Sequence, residues 1–242
     1  MKALYAASAV ALLVALVSCG PNAGADAKRL LASESVDPAS VDSAELAKIE
    51  SAIAEFKDEA ERTVIATDRV GYYYRLLASM LMERGMYEKA YDAYVKAVEY
   101  FPASAGLYHN LGVAAGYVAK MAGATGDVER RNKMLAVAET AQKRALELDP
   151  ESGRSLYALA ILYSFELDRP EDAVFAAETL LRLETENADA MMVLGRSLYQ
   201  LGRYSEAAEV FGRVAGTNAS AQVKAAAETN KASALAGGDA AP

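Results

Sequence analysis

The sequence predicts an all-α fold: a run of helical hairpins, preceded by one extra helix and closed by another. Three observations carry this reading. From residue 43 onward, apolar residues recur at steps of three and four, which places them on one face of a helix. Residues that end helices fall at spaced points, among them Gly85, Pro102, Pro150 and Gly202. The positions that close successive units, Pro102, Pro150, Thr185 and Ala219, lie 48, 35 and 34 residues apart.

Composition narrows the function classes. The chain has 242 residues, is 53% hydrophobic and carries a net charge of −8. An acidic chain without a basic run is unsuited to nucleic acid, because phosphate neutralisation needs clustered Lys and Arg. With one cysteine in the chain no internal disulfide can form, so stability must come from apolar burial.

The first element is the uncharged run from Ala3 to Cys19, which follows Lys2. It is shorter than the ~20 residues that a spanning helix needs, and small residues lead up to its end. Residues 1–18 are therefore expected to be a signal peptide. Leu16-Val17-Ser18-Cys19 resembles the lipobox of bacterial lipoproteins. That resemblance implies cleavage before Cys19 and acylation of its sulfur and new amino group. Cys19 is then a lipidation site and membrane anchor, not a nucleophile, a metal ligand or half of a disulfide. Loss of Lys2 on cleavage moves the side-chain charge from −8 to −9.

Residues 19–42 are small, polar and interrupted by Pro21 and Pro38, and read as the lipidated N-terminus and a flexible tether. Such a chain reaches about 25 Å on average. Asp42 and Glu45 form a capping-box pair that opens an amphipathic helix over 43–67. Its apolar face is Leu46, Ile49, Ile53, Phe56, Ala60 and Val64, and Thr67-Asp68 is expected to end it.

The hairpins follow. In the first, Tyr74, Leu77, Leu81 and Tyr94 are large, Ala78, Ala90 and Ala97 are small, Gly85 marks the turn and Pro102 the exit. Small residues let two helices approach, large ones fill the space beside them, and proline stops a helix for want of an N–H. The set recurs as Tyr108, Leu111, Gly112, Ala138 and Pro150, then as Leu156, Leu159, Ala160 and Ala173, then as Met191, Leu194, Gly195, Gly202, Ala207 and Phe211. This pattern and its 34-residue period resemble the tetratricopeptide repeat (TPR) family. The resemblance implies a right-handed solenoid, with four units and a capping helix over 68–235 and a disordered tail over 236–242. The second unit is 14 residues longer than the period. The excess flanks a turn at Gly123–Asp127, so both of its helices are expected to be about two turns longer. In the third unit Thr185 replaces the exit proline and Leu180 a small residue.

Nothing in the sequence suggests catalysis. His109 is the only histidine, so no His/Cys metal set or Ser–His relay is supported, and no cofactor is expected. The TPR resemblance implies instead that first helices line a concave groove that holds a protein or peptide partner. Offsets from the core positions assign that groove Tyr72, Arg75, Ser79 and Met82 from the first unit, and His109, Asn110, Val113 and Tyr117 from the second. The third offers Arg154, Tyr157, Ile161 and Phe165, and the fourth Met192, Arg196 and Tyr199. Arginines pair with carboxylates bidentately and aromatics supply contact area, so the groove should be more basic than the chain as a whole. The carboxylate clamp of chaperone-binding TPR domains is not reproduced: of its matching positions only Asn110 is identical. The expected function is a membrane-tethered scaffold or adaptor of the bacterial cell envelope. The alternatives are a lipoprotein that holds an apolar small molecule for a transporter, or a surface adhesin.

Overall fold

The computed structural model describes residues 43–239. Cys19 and its lipobox, the 19–42 tether, Asp42 of the expected cap and residues 240–242 lie outside the described residues, as do the side chains of Glu45, Leu46, Ile49, Ile53 and Phe56. The described residues form nine α-helices. These are α1 (Ser43–Glu83), α2 (Tyr87–Tyr100), α3 (Ala105–Ala124), α4 (Val128–Leu148), α5 (Gly153–Ile161), α6 (Pro170–Leu183), α7 (Ala188–Gln200), α8 (Tyr204–Arg213) and α9 (Ala221–Asp239). The chain divides into two compact units, residues 1–63 and 64–242. In the first, the described side chains of residues 57–63 are exposed, and the Arg62–Asp58 ion pair at 2.7 Å is of the surface kind that adds little stability.

Two expectations for α1 are corrected. The helix does not stop at Thr67-Asp68 but runs on to Glu83. Neither residue is a strong breaker, and Gly71 is retained inside the helix, where a Cβ would lie 2.5 Å from that of Tyr100. The expected apolar face is also not buried where it is described: Ala60 is exposed, and Val64 is 59% exposed.

The second unit stacks four hairpins, α1–α2, α3–α4, α5–α6 and α7–α8, with α9 closing the end. In each hairpin two small buried residues sit at equivalent places, one per helix: Ala78 with Ala90, Gly112 with Ala138, Ala160 with Ala173, and Gly195 with Ala207. Around them, Leu107, Leu111 and Tyr94 fill the first interval, and Leu135, Leu156, Leu180 and Phe211 the later ones. Burying each such side chain contributes about 1.5–3 kcal/mol. Leu77 departs from its expected core role and is 47% exposed, because among the described residues no hairpin precedes it. The second hairpin is long as expected, with helices of 20 and 21 residues; Asp127 caps α4 by accepting from the Arg130 N–H at 3.0 Å. The third hairpin exits without proline: α6 ends at Leu183, and Asn187 caps α7 by accepting from the Ala190 N–H at 2.8 Å. The tail is corrected too. Helix α9 continues through residues 236–239, and Gly237 lets it pass the Tyr204 ring, 3.2 Å from where a Cβ would stand.

The hairpin turns share one design. Gly85, Gly126 and Gly202 have φ of 70°, 78° and 73°, and the next residue's N–H donates to a carbonyl five residues back: Met86 to Leu81, Asp127 to Ala122, Arg203 to Leu198. This is a Schellman-type helix ending. The third hairpin puts Asp168, with φ 51°, where the others have glycine, and Arg169 donates to Tyr163, six back. One extra residue is present. It is taken up by a π-helical turn over Leu162–Glu166, marked by Leu167 N–H to Leu162 C=O at 3.0 Å. The 35-residue spacing from Pro150 to Thr185, one more than the period, is the sequence trace of that insertion.

The π turn is held from two sides. Glu139 Oε1 accepts from Tyr163 OH (3.1 Å), Arg169 Nη1 (2.9 Å) and Lys143 Nζ (2.7 Å). Burial alone would raise the Glu139 pKa, but these donors outweigh it and hold the carboxyl below its usual range. Arg131 Nη2 donates to the Glu166 carboxylate at 2.9 Å and to its backbone carbonyl at 3.2 Å. A non-glycine in the left-handed region costs roughly 1 kcal/mol. Asp168→Gly should therefore leave the melting temperature unchanged or raise it. Asp168→Val should lower stability by about 1 kcal/mol or more, read by thermal or urea unfolding.

Candidate functional site

The first helices of the last two hairpins each bury one stripe and turn the next toward a shared concavity. In α5, Leu156, Leu159 and Ala160 are buried, while Tyr157 and Ile161 stand beside them, partly exposed. In α7, Met191, Val193 and Leu194 are buried, and Met192, Arg196 and Tyr199 face outward from the same turns. These outward residues converge with Phe165 on a cavity of about 710 Å³. Phe211 of α8 and Asn230 and Ser233 of α9 line it as well. Its charges are Arg196, Glu166 and Asp189.

Three of the sequence-assigned site residues, Tyr157, Arg196 and Tyr199, thus come together, with Ile161, Phe165 and Met192 from the same assignment. The Arg196 guanidinium lies over the Phe165 ring, 4.3 Å from its centroid. This cation–π contact holds the arginine against an apolar wall and leaves its planar fork able to donate. The π turn carries Phe165, which stays 51% exposed. Burial, with the Asp189 charge adding to it, raises the Tyr157 phenol pKa, so its hydroxyl is a neutral donor and acceptor. Tyr199 is fixed edge-on against Tyr204, with centroids 5.1 Å apart.

The other nine assigned residues, Met82 and Val113 among them, lie outside this cavity's lining. Arg75 sits over its neighbour Tyr72 at 5.1 Å. Ser79 Oγ pairs with Tyr94 OH at 3.2 Å, which ties it to α2. Tyr117 stacks on Tyr87, centroids 4.4 Å apart, and Asn110 is half-buried. Arg154 is exposed. His109 is half-buried, and its Nδ1–H donates to Gln142 Oε1 at 3.0 Å, with Ser155 Oγ also 3.4 Å away. Gln142 Nε2 donates in return to the His109 carbonyl at 3.0 Å. His109 therefore joins α3, α4 and α5 as a structural link between units.

The cavity is not the basic groove the arginine spacing suggested. One guanidinium stands among two carboxylates and a majority of apolar and aromatic side chains. Asp189 was missed although it lies one turn before Met192 on the same helix. Asn230 and Ser233 come from the capping helix, which repeat offsets do not reach.

Residues 157–221, which carry most of this cavity, match the family model described as tetratricopeptide repeat. No curated protein matches the chain. Solved structures do. YrrB, described as a TPR protein with an unusual peptide-binding site, is 22% identical, with 73% of this chain and 81% of that chain covered at a TM-score of 0.56. TTC0263, a thermophilic TPR protein of Thermus thermophilus, is 21% identical, with 73% and 87% covered at 0.55. MamA is 19% identical, with 70% and 88% covered at 0.54. The fold is that of a TPR solenoid.

Burial, reinforced by the Arg154 charge, holds the His109 pKa below its ordinary value of 6.5 against the opposing bond to Gln142. The unfolded chain therefore takes up a proton that the folded one resists. The stabilisation is complete above pH 6.5 and declines as pH falls through that value toward the folded pKa. Wild type should lose more melting temperature between pH 7 and pH 5.5 than His109→Asn does; equal losses would show that His109 is not the titrating link.

Proposed function

We propose that the chain is a non-catalytic scaffold, tethered to a bacterial envelope membrane through acylated Cys19, that holds a segment of a protein partner in the α5–α7 cavity. One observation carries the reading: Tyr157, Ile161, Phe165, Met192, Arg196 and Tyr199 line a single open concavity on a TPR solenoid. An extended or helical peptide would lay apolar side chains on the aromatic wall and a carboxylate or carbonyl on Arg196. Asn230 and Ser233 would meet its backbone. The description of YrrB as peptide-binding is in keeping with this use of the fold. The lipobox-like Leu16–Cys19 supports the tether, and several acyl chains would anchor stably where one binds marginally.

Arg196→Glu together with Tyr157→Ala tests the cavity. Arg196 is exposed and Tyr157 half-buried at the edge of the core, so helicity should not change and melting should fall only slightly. Losing two interface anchors should weaken capture of proteins crosslinked in the native envelope at least tenfold. Undiminished capture would remove the cavity from consideration. The cavity's size is also within the ~300–1,000 Å³ range of small-molecule sites. Thermal stabilisation by apolar small molecules, with no protein captured, would favour the transporter-associated alternative.

Cys19→Ser tests the tether. The variant should accumulate as unprocessed precursor and take up no radiolabelled palmitate; labelling equal to wild type would exclude Cys19 as the anchor.

A further inference from the structure

Among the described residues no hairpin precedes α1, and the exposed face of its residues 65–83 is self-complementary. In α1, Gly71, Tyr74, Ala78 and Leu81 recur at steps of three and four and turn toward the core. The opposite stripe carries Ile65, Tyr72, Leu76 and Met80, with Tyr73 and Leu77 beside it. Counting from Gly85 and Gly202, the equivalents of Tyr73, Leu76, Leu77 and Met80 in the fourth hairpin are Ala190, Val193, Leu194 and Ser197. There they are 0%, 5%, 4% and 0% exposed, because the preceding hairpin covers them. In α1 the same positions are 63%, 42%, 47% and 44% exposed. The other end differs: α9 caps it with an exposed face of small and polar residues, Ala, Gln, Glu, Thr and Ser, on which Leu235 is a single large apolar side chain. Terminal units of a solenoid need a polar outer face to remain soluble alone.

We propose that this face is an interface between two copies of the chain, packed head to head about a twofold axis at Leu76. An isologous contact requires a surface that matches itself reversed. The stripe does so. With two α1 helices antiparallel and Leu76 opposite Leu76, Tyr72 meets Met80, and Arg69 meets Glu83, since both pairs are centred on residue 76. Opposite charges then close both ends of an apolar strip. The size also fits. Between those charges, Tyr72, Tyr73, Leu76, Leu77 and Met80 are between 42% and 63% exposed. At ~150–250 Å² per large side chain they offer roughly 400–500 Å² of apolar surface per copy. A standard interface buries ~800 Å² per partner, about 60% of it apolar, so its apolar share is also roughly 500 Å².

Oxidative cross-linking of the full chain in its native membranes tests the axis. Leu76→Cys should yield a disulfide-linked dimer that wild type, whose one cysteine is Cys19, does not. Leu235→Cys, exposed on α9 at the other end, should not. Equal yields would overturn the proposal. Sedimentation of the detergent-purified full chain should give twice the monomer mass for wild type. For Leu76→Asp it should give monomer at concentrations about a hundredfold higher than wild type needs to dimerise, with circular dichroism unchanged. Arg69→Glu should weaken the dimer, and adding Glu83→Arg should restore it. A wild-type monomer, failure of that charge reversal, or protection of Leu76→Cys by phosphatidylglycerol vesicles instead of by a second copy would each contradict the interface.

Discussion

The structure depends on close approach between paired helices, and eight small residues permit it. Each hairpin brings its two helices together at an alanine or glycine on both sides, from Ala78–Ala90 to Gly195–Ala207. At the last of these the spacing has no slack. A Cβ on Gly195 would stand 2.7–2.9 Å from three atoms of the Phe211 ring. With that distance set, Leu, Tyr and Phe side chains fill the flanks, and each hairpin presents the same apolar face to the next. Hairpins without the small pair would splay, and the first helices would no longer share a concave side.

The site follows from that geometry with one irregularity. Because α5 and α7 are held in parallel register, Tyr157 and Ile161 stand beside Met192, Arg196 and Tyr199. The inserted residue in the third hairpin turns the end of α5 into a π segment. That segment delivers Phe165 to the cavity rim, where Arg196 rests on it. π turns inside helices occur often at functional positions. Here the distortion is fixed by Glu139 and Arg131 from the neighbouring α4 rather than left loose.

How much was legible in the sequence varies with the range of the forces involved. The small–large pattern, the turn glycines and the long second hairpin are local or periodic, and all were readable. The convergence of Tyr157, Arg196 and Tyr199 was readable as well, since one repeat offset relates them. Interactions between units were not. His109 carried a groove offset, yet Gln142 and Ser155 from two other helices engage it. The π turn was visible only as a 35-residue interval, which does not say where the extra residue goes. Leu77 matched a core position, but burial there needs a preceding hairpin, and none precedes it among the described residues. The run of α1 through Thr67-Asp68 escaped because neither residue's preference is strong enough to end a helix.

Helix approach at the small pairs sets the solenoid, and through the Gly195–Phe211 contact it reaches the lining of the cavity. The sign of one substitution tests it. Glycine inside a helix is normally less stable than alanine by about 1 kcal/mol, so Gly→Ala should stabilise wherever space allows. Gly212, in α8, has such space: its nearest neighbour would lie 3.6 Å from an added Cβ. The measurement is the melting temperature of Gly195→Ala beside Gly212→Ala. Gly195→Ala should melt below wild type and Gly212→Ala above it. A rise in both would mean that the helices do not meet as closely as described, and that the shared concave face rests on something else.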